Sequence, residues 1–349
     1  MRRLMETPVR AISGGRIEYG LYKTPFQELN LLDADIFDRG GSSPRWLRRL
    51  RLKEWEHFGI FTRDFFLGVA VVDLKLAGLS WCCVFDRETR TLFELQRKLL
   101  PGKIRIPPEL RDGAVELRSG RGYRVSIENR LRQGNHRLVL SMEARGGFPG
   151  VSADLTLWER PEEVQPLIAL LPLGENRPFF SHKAPSRAEG EVRIGKRSYS
   201  LKGRDAVALL DFHRAFYPRK TFWEWATFAG YDQAGDLIGM NVTRNLIARD
   251  DLYNENGIWF RNTLHPVGAA DFRIPPGKGE LWHIRTRDGN VDLVFKPLGG
   301  RSESIRLGPF LSHYVQPVGL FSGKLIDGAG IVHTVEDMFG VTEDHRVTW

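Results

Sequence analysis

Residues 211–230 read DFHRAFYPRKTFWEWATFAG, two carboxylates, an imidazole, three Arg or Lys side chains and two indoles within one short stretch. On an extended backbone, residues two apart share a face with their Cα atoms about 6.5–7 Å apart. Asp211 and His213 can then share a proton, or Asp211 can hold one tautomer of the imidazole. The plainer alternative is that Asp211 caps the turn leading to Pro218. Glu224 stands between Phe222 and Phe228. On a buried face its carboxyl shifts toward the neutral acid unless a cation pairs with it, and Arg214 or Arg219 could be that cation. Asp211, His213 and Glu224 are therefore the candidate catalytic residues, with a buried ion pair as the structural reading of Glu224.

Trp223 and Trp225 share the opposite face of the same strand from Glu224, a pattern that suits a packed core or the wall of an apolar cavity. The C-terminal VTEDHRVTW repeats the motif, with Val341, Glu343, His345, Val347 and Trp349 on one face. GMNVTRN holds Asn241 and Asn245, and YNENGIWFRN (253–262) adds Asn254, Glu255 and Asn256, most of them expected to build turns and some able to hydrogen-bond a ligand from a barrel mouth. Arg214, Tyr217, Arg219, Trp223, Trp225, Asn241, Glu343 and His345 are the candidate ligand-binding residues. The two carboxylate–imidazole pairs have no helix or loop spacing that supports a metal, and no metal or cofactor is expected.

These side chains must be positioned by strands. The dominant period is two, in FFLGVAVVDL (65–74), LSWCCVFD (79–86), GYRVSIENR (122–130), HRLVLSMEA (136–144) and VSADLTLWE (151–159). Hairpin turns are expected at LRQGN, at Gly195-Lys196 and at Asp288-Gly289. The segment HYVQPVGLFSGKL (313–325) reads as a strand bent at Pro317, with close backbone approach at Gly319 and Gly323. Helix signals are confined to 44–52 and to a short turn near 161–169. The expected fold is all-β: two antiparallel barrel or sandwich halves, residues 1–175 and 176–349, joined through LPLGENRPFF (171–180).

A net charge of +8 is mild for 349 residues and is scattered, so it does not demand nucleic acid. The dense spot RWLRRLR (45–51) reads as solvated surface, with an anionic partner or membrane surface as the minority reading. Cys82 and Cys83 are adjacent and close no useful disulfide loop. The N-terminus has no apolar signal region and no run is long enough to span a bilayer, so a cytoplasmic protein without stable membrane insertion is expected. Motifs for nucleotide, nicotinamide, zinc-peptidase or serine-hydrolase chemistry are missing. Oligomeric state is not legible.

The motif D-x-x-R-x-x-x-P-R-x-x-x-W-x-W at 211–225, with GDLIGMNVTRN, LWHIRTRDGNVDLVFKP, PVGLFSGKL and the terminal EDHRVTW, resembles a bacterial domain-of-unknown-function family. The resemblance runs from RLKEWEHFGI (51–60) to the last residue. More distantly, SHKAPSRAEGEVRIGKRSYSLKGRDAVALLDFHRAF is similar to the middle of the lipocalin-like carotenoid 1,2-hydratases. Gly190, Gly195, Tyr199 and Gly203 match the hairpin, Asp211 takes the Asp position, and Trp223 and Trp225 match the aromatic pair. Phe212 stands where that family has His, and Arg214-Ala215 where it has Trp-Gly. The resemblance implies two lipocalin-like, calycin-like barrel halves and an apolar pocket. Three functions remain open: an enzyme acting on a lipid or isoprenoid-like molecule, a carrier in which Arg214 or Arg219 pairs an anionic head group, and a scaffold whose charges pin the halves together.

Overall fold

The computed structural model describes residues 2–37, 43–174, 176–277, 279–307 and 310–349. Two curled antiparallel sheets account for most of it, as expected for an all-β chain of two antiparallel halves. Arg45–Arg51 is the one α-helix among the described residues. The short turn expected near 161–169 is present at 161–163; Pro166 removes a helical donor, and Leu167–Pro172 is a strand. No described helix is long and apolar enough to cross a membrane.

In the first sheet the central order is Phe65–Asp73, Lys53–Thr62, Ala206–Ala215, Pro178–Ile194, Val151–Trp158. In the second it is Leu237–Asn245, Lys220–Tyr231, Val332–Thr348, Phe310–Ile326, Val291–Leu307. The expected hairpins form, with Gly134 (φ 70°), Gly195 (φ 59°) and Gly289 (φ 76°) in left-handed turn positions. A Cβ on Gly319 would fall 2.1 Å from the Lys296 carbonyl oxygen, which is the close approach anticipated there.

The segment 171–180 is not a passage between sheets. Leu167–Pro172 pairs with Pro178–Ile194, from Leu167 opposite Lys183 to Pro172 opposite Pro178, so it is a hairpin of the first sheet; residue 175 lies outside the described residues. The chain crosses to the second sheet at 216–219, between Ala206–Ala215 and Lys220–Tyr231. Asp211 and Trp223 therefore belong to different sheets.

Alternation along Ala206–Ala215 explains how the halves meet. All ten residues are buried. Ala208, Leu210 and Phe212 point into the core enclosed by the first sheet, with Phe58, Ile60, Leu67 and Val69. Val207 and Leu209 point the other way, into a layer shared with Phe61, Phe66 and Phe85 of the first sheet and Trp225, Phe339 and Val341 of the second. Such strands carry apolar side chains on both faces, hence their near-continuous hydrophobic runs. Within that shared layer the Phe339 ring stacks on Phe85 at 5.6 Å and takes the Arg87 guanidinium over its face at 4.7 Å.

Truncating Phe339 to Ala leaves a cavity between two sheets that cannot both collapse onto it. The expected loss is about 3 kcal/mol of unfolding free energy, read from urea titration; a change under about 1 kcal/mol would show that the sheets do not rely on this layer.

Candidate functional site

Where the apolar layer between the sheets ends, the two faces part around a cleft of about 530 Å³. Its walls hold five indoles: Trp55 and Trp81 from the first sheet, Trp223 and Trp225 from the second, and Trp349. Antiparallel register collects the polar groups. Asp211 sits opposite Lys183 on one side and opposite His57 on the other, and His213 sits opposite Trp55. Cross-strand partners on one face stand side by side, so strand pairing alone assembles the first polar group.

That group is Lys183, Asp211, His213 and Glu255, respectively 1%, 9%, 4% and 2% exposed. The Lys183 ammonium bonds the Asp211 carboxylate, and it lies 3.6 Å from Glu255 and 5.5 Å above the Trp225 ring. His213 Nε2 is 2.6 Å from Asp211 Oδ1 and 3.0 Å from Lys183 Nζ. Nε2 thus faces an acceptor and a donor at once: donation to Asp211 leaves the lone pair on Nδ1, and acceptance from Lys183 leaves the proton there. Nδ1 has no hydrogen-bond partner among the described residues. The ring is stacked on Trp55 at 4.6 Å and meets the edge of Phe179 at 4.8 Å.

A second polar group faces it. Arg301 donates to Glu94 Oε1 (2.6 Å), to Gln316 Oε1 (2.9 Å) and to the Tyr314 hydroxyl (2.6 Å), with its guanidinium 3.7 Å above the Trp81 ring. Gln316 Nε2 donates to Glu343 Oε2 (2.8 Å), and Trp223 Nε1 donates to Glu343 Oε1 (2.6 Å). His345 Nε2 meets Ser312 Oγ at 2.9 Å, and its ring lies edge-on to Trp223 at 4.3 Å. One continuous network thus runs from Glu94 on the first sheet to Trp223 on the second.

Burial and charge shift the titrating groups in opposite directions. For Asp211, burial favours the neutral acid, but His213 and Lys183 outweigh it and hold the carboxyl far below the usual carboxylate range. For Lys183, burial favours the neutral amine, but Asp211 and Glu255 outweigh it and raise the ammonium above its ordinary value. His57, between Trp81 and Trp225, is lowered to about 4 chiefly by burial and is neutral at pH 7. Burial pushes the Tyr217 and Tyr314 hydroxyls well above their ordinary value.

Of the residues singled out from sequence, Asp211, His213, Tyr217, Trp223, Trp225, Glu343 and His345 line this cleft. Asn241 lies just behind it, accepting from Trp225 Nε1 (2.7 Å) and donating to the Glu255 carbonyl (2.8 Å), so it orients the indole. Three residues are elsewhere. Arg214 has the opposite strand parity from Asp211 and His213, points into the first-sheet interior and is paired with Glu54 there (2.6 Å). Glu224 has the opposite parity from the two indoles; its cations are Arg244 (3.0 Å) and Arg346 (3.2 Å), and burial raises its carboxyl. Arg219 is exposed at the crossing between sheets. Sequence reasoning missed Lys183, Arg301, Glu94, Trp55 and Trp81, and read Glu255 as a turn former.

No described group of His, Cys, Asp and Glu has the arrangement of a metal site. The family described as Domain of unknown function (DUF2804) matches residues 5–349. No curated protein matches the chain. Similar solved structures include kievitone hydratase from Nectria haematococca, at 9% identity and a TM-score of 0.48 over 85% of this chain and 88% of that one. CghA is another, at 12% identity and a TM-score of 0.47 over 100% of this chain and 97% of that one.

Asp211→Asn leaves the buried Lys183 ammonium with Glu255 alone, and should lower the unfolding free energy by about 3 kcal/mol at pH 7. Because the folded pKa of Asp211 is depressed, its contribution is complete above the unfolded value of about 3.9 and is lost as pH falls through the folded one. Urea titrations from pH 7 to pH 3 should therefore show the gap between variant and wild type constant down to about pH 4 and narrowing below it. A gap that narrows near neutral pH instead would assign the stabilisation to another group.

Proposed function

From the premise that the chain belongs to the DUF2804 family, we propose that it binds a hydrophobic small molecule in the cleft between its sheets and moves a proton on it. One observation carries the reading: a Lys–Asp–His cluster, buried and incompletely partnered, borders a cavity large enough for a lipid or isoprenoid-sized molecule. Had these charges only pinned the halves together, they would sit in a packed interface; they face open space between indoles.

The chemistry follows from His213. In the tautomer whose Nε2–H faces Asp211, the lone pair on Nδ1 can take a proton, and the Asp211 carboxylate stabilises the imidazolium that forms. Lys183 in turn keeps Asp211 ionised. The positive charge that develops lies on the imidazole ring, which the Trp55 face covers at 4.6 Å, and exclusion of water strengthens each of these interactions. In a carrier the same groups would grip a polar end of the ligand without turnover.

Native mass spectrometry of the full chain as purified, followed by extraction, should reveal a retained apolar molecule, and Trp223→Ala should weaken its binding by about tenfold or more. With that molecule or its relatives as substrate, His213→Gln and Asp211→Asn should cut turnover by about a hundredfold or more while the dissociation constant changes little. Turnover unchanged in both variants, with the fold intact, would leave the protein a carrier; failure of any apolar molecule to occupy the cleft would remove the proposal.

A further inference from the structure

The carrier reading from sequence assumed a free arginine for an anionic head group. The cleft offers none. Among the described residues its two cations are each paired: Lys183 with Asp211 and Glu255, and Arg301 with Glu94, with one further N–H on Gln316 and one on Tyr314. Five carboxylates line it, namely Glu94, Asp211, Glu255, Glu303 and Glu343, against those two cations. Glu303 is engaged at the rim by Gln96 and Lys98. His57 adds no charge at pH 7.

We infer, resting on the reading of the cleft as a ligand site, that its occupant carries no anionic head group and is a neutral or cationic apolar molecule, an alcohol, carbonyl compound or amine rather than a fatty-acid-like anion. A carboxylate seated here would lose its water, meet no unpaired cation and stand among more carboxylates than cations, each of which disfavours it. A hydroxyl or ammonium meets the reverse. Glu255 Oε2 is buried and accepts no hydrogen bond among the described residues. It suits a ligand that donates. The indoles attract a positive or partly positive group by their faces, and Trp81 and Trp225 already do so for Arg301 and Lys183.

Nile red, a neutral solvatochromic dye, reports on the cleft without bringing charge. Decanol, decylamine and decanoate share one chain length and differ in head group. Against the full chain at pH 7, decanol and decylamine should displace Nile red at concentrations about tenfold or more below decanoate. Glu94→Gln releases Arg301 from its carboxylate and should improve decanoate relative to decanol by about tenfold, a selective effect that general loosening would not produce. Decanoate equal to or better than decanol in the wild type overturns the inference and leaves the cleft reading standing. If Nile red does not bind, or binds equally to Trp223→Ala, the cleft reading itself fails and this inference with it. The wild-type ranking decides the matter even if Glu94→Gln does not fold.

Discussion

The structure depends on strands that are covered on both sides. Ala206–Ala215, its neighbour Lys53–Thr62 and the next strand Phe65–Asp73 give one set of side chains to the interior of the first sheet and the other set to the second sheet. Where that second set is apolar the sheets touch. Where it becomes Asp211 and His213 they part, and the space between them is the cleft. Site and interface are successive parts of one surface, separated by a change of residue type within a single strand.

This arrangement explains why the buried charges are tolerated. Taking Lys183 and Asp211 out of water is costly unless each finds a partner with good geometry, and antiparallel register puts them directly opposite each other. Glu255, from the segment that follows Leu237–Asn245, supplies a second carboxylate. The cluster therefore draws on both sheets, and its protonation states are tied to their mutual position. On the far wall Arg301 does the same between Glu94 and Gln316.

Much of the fold was legible from alternation and turn chemistry. The strands around the Gly134, Gly195 and Gly289 turns follow from local rules, since a hairpin needs only its own residues. Which residues share a face was legible too: Asp211 with His213, Trp223 with Trp225, Glu343 with His345. The same parity places Arg214 and Glu224 on the other faces, and weighting charge over parity led to their selection. Lys183, Trp55 and Arg301 could not be found this way. They reach the cleft through pairings between distant strands, such as Lys183 with Asp211 and Trp55 with His213, and register between distant strands leaves no local trace. The join at 171–180 was misread for a related reason: turn residues look alike whether they link two strands of one sheet or two sheets.

The doubly covered strands also set an order of events during synthesis. All of the first sheet's strands precede residue 216, so they leave the ribosome before any strand of the second sheet exists. During that interval Phe61, Phe66, Phe85, Val207 and Leu209, which end up in the shared layer, have nothing to cover them. The nascent chain thus carries a temporary greasy face whose eventual cover is encoded downstream, the kind of surface through which partly made chains misassemble.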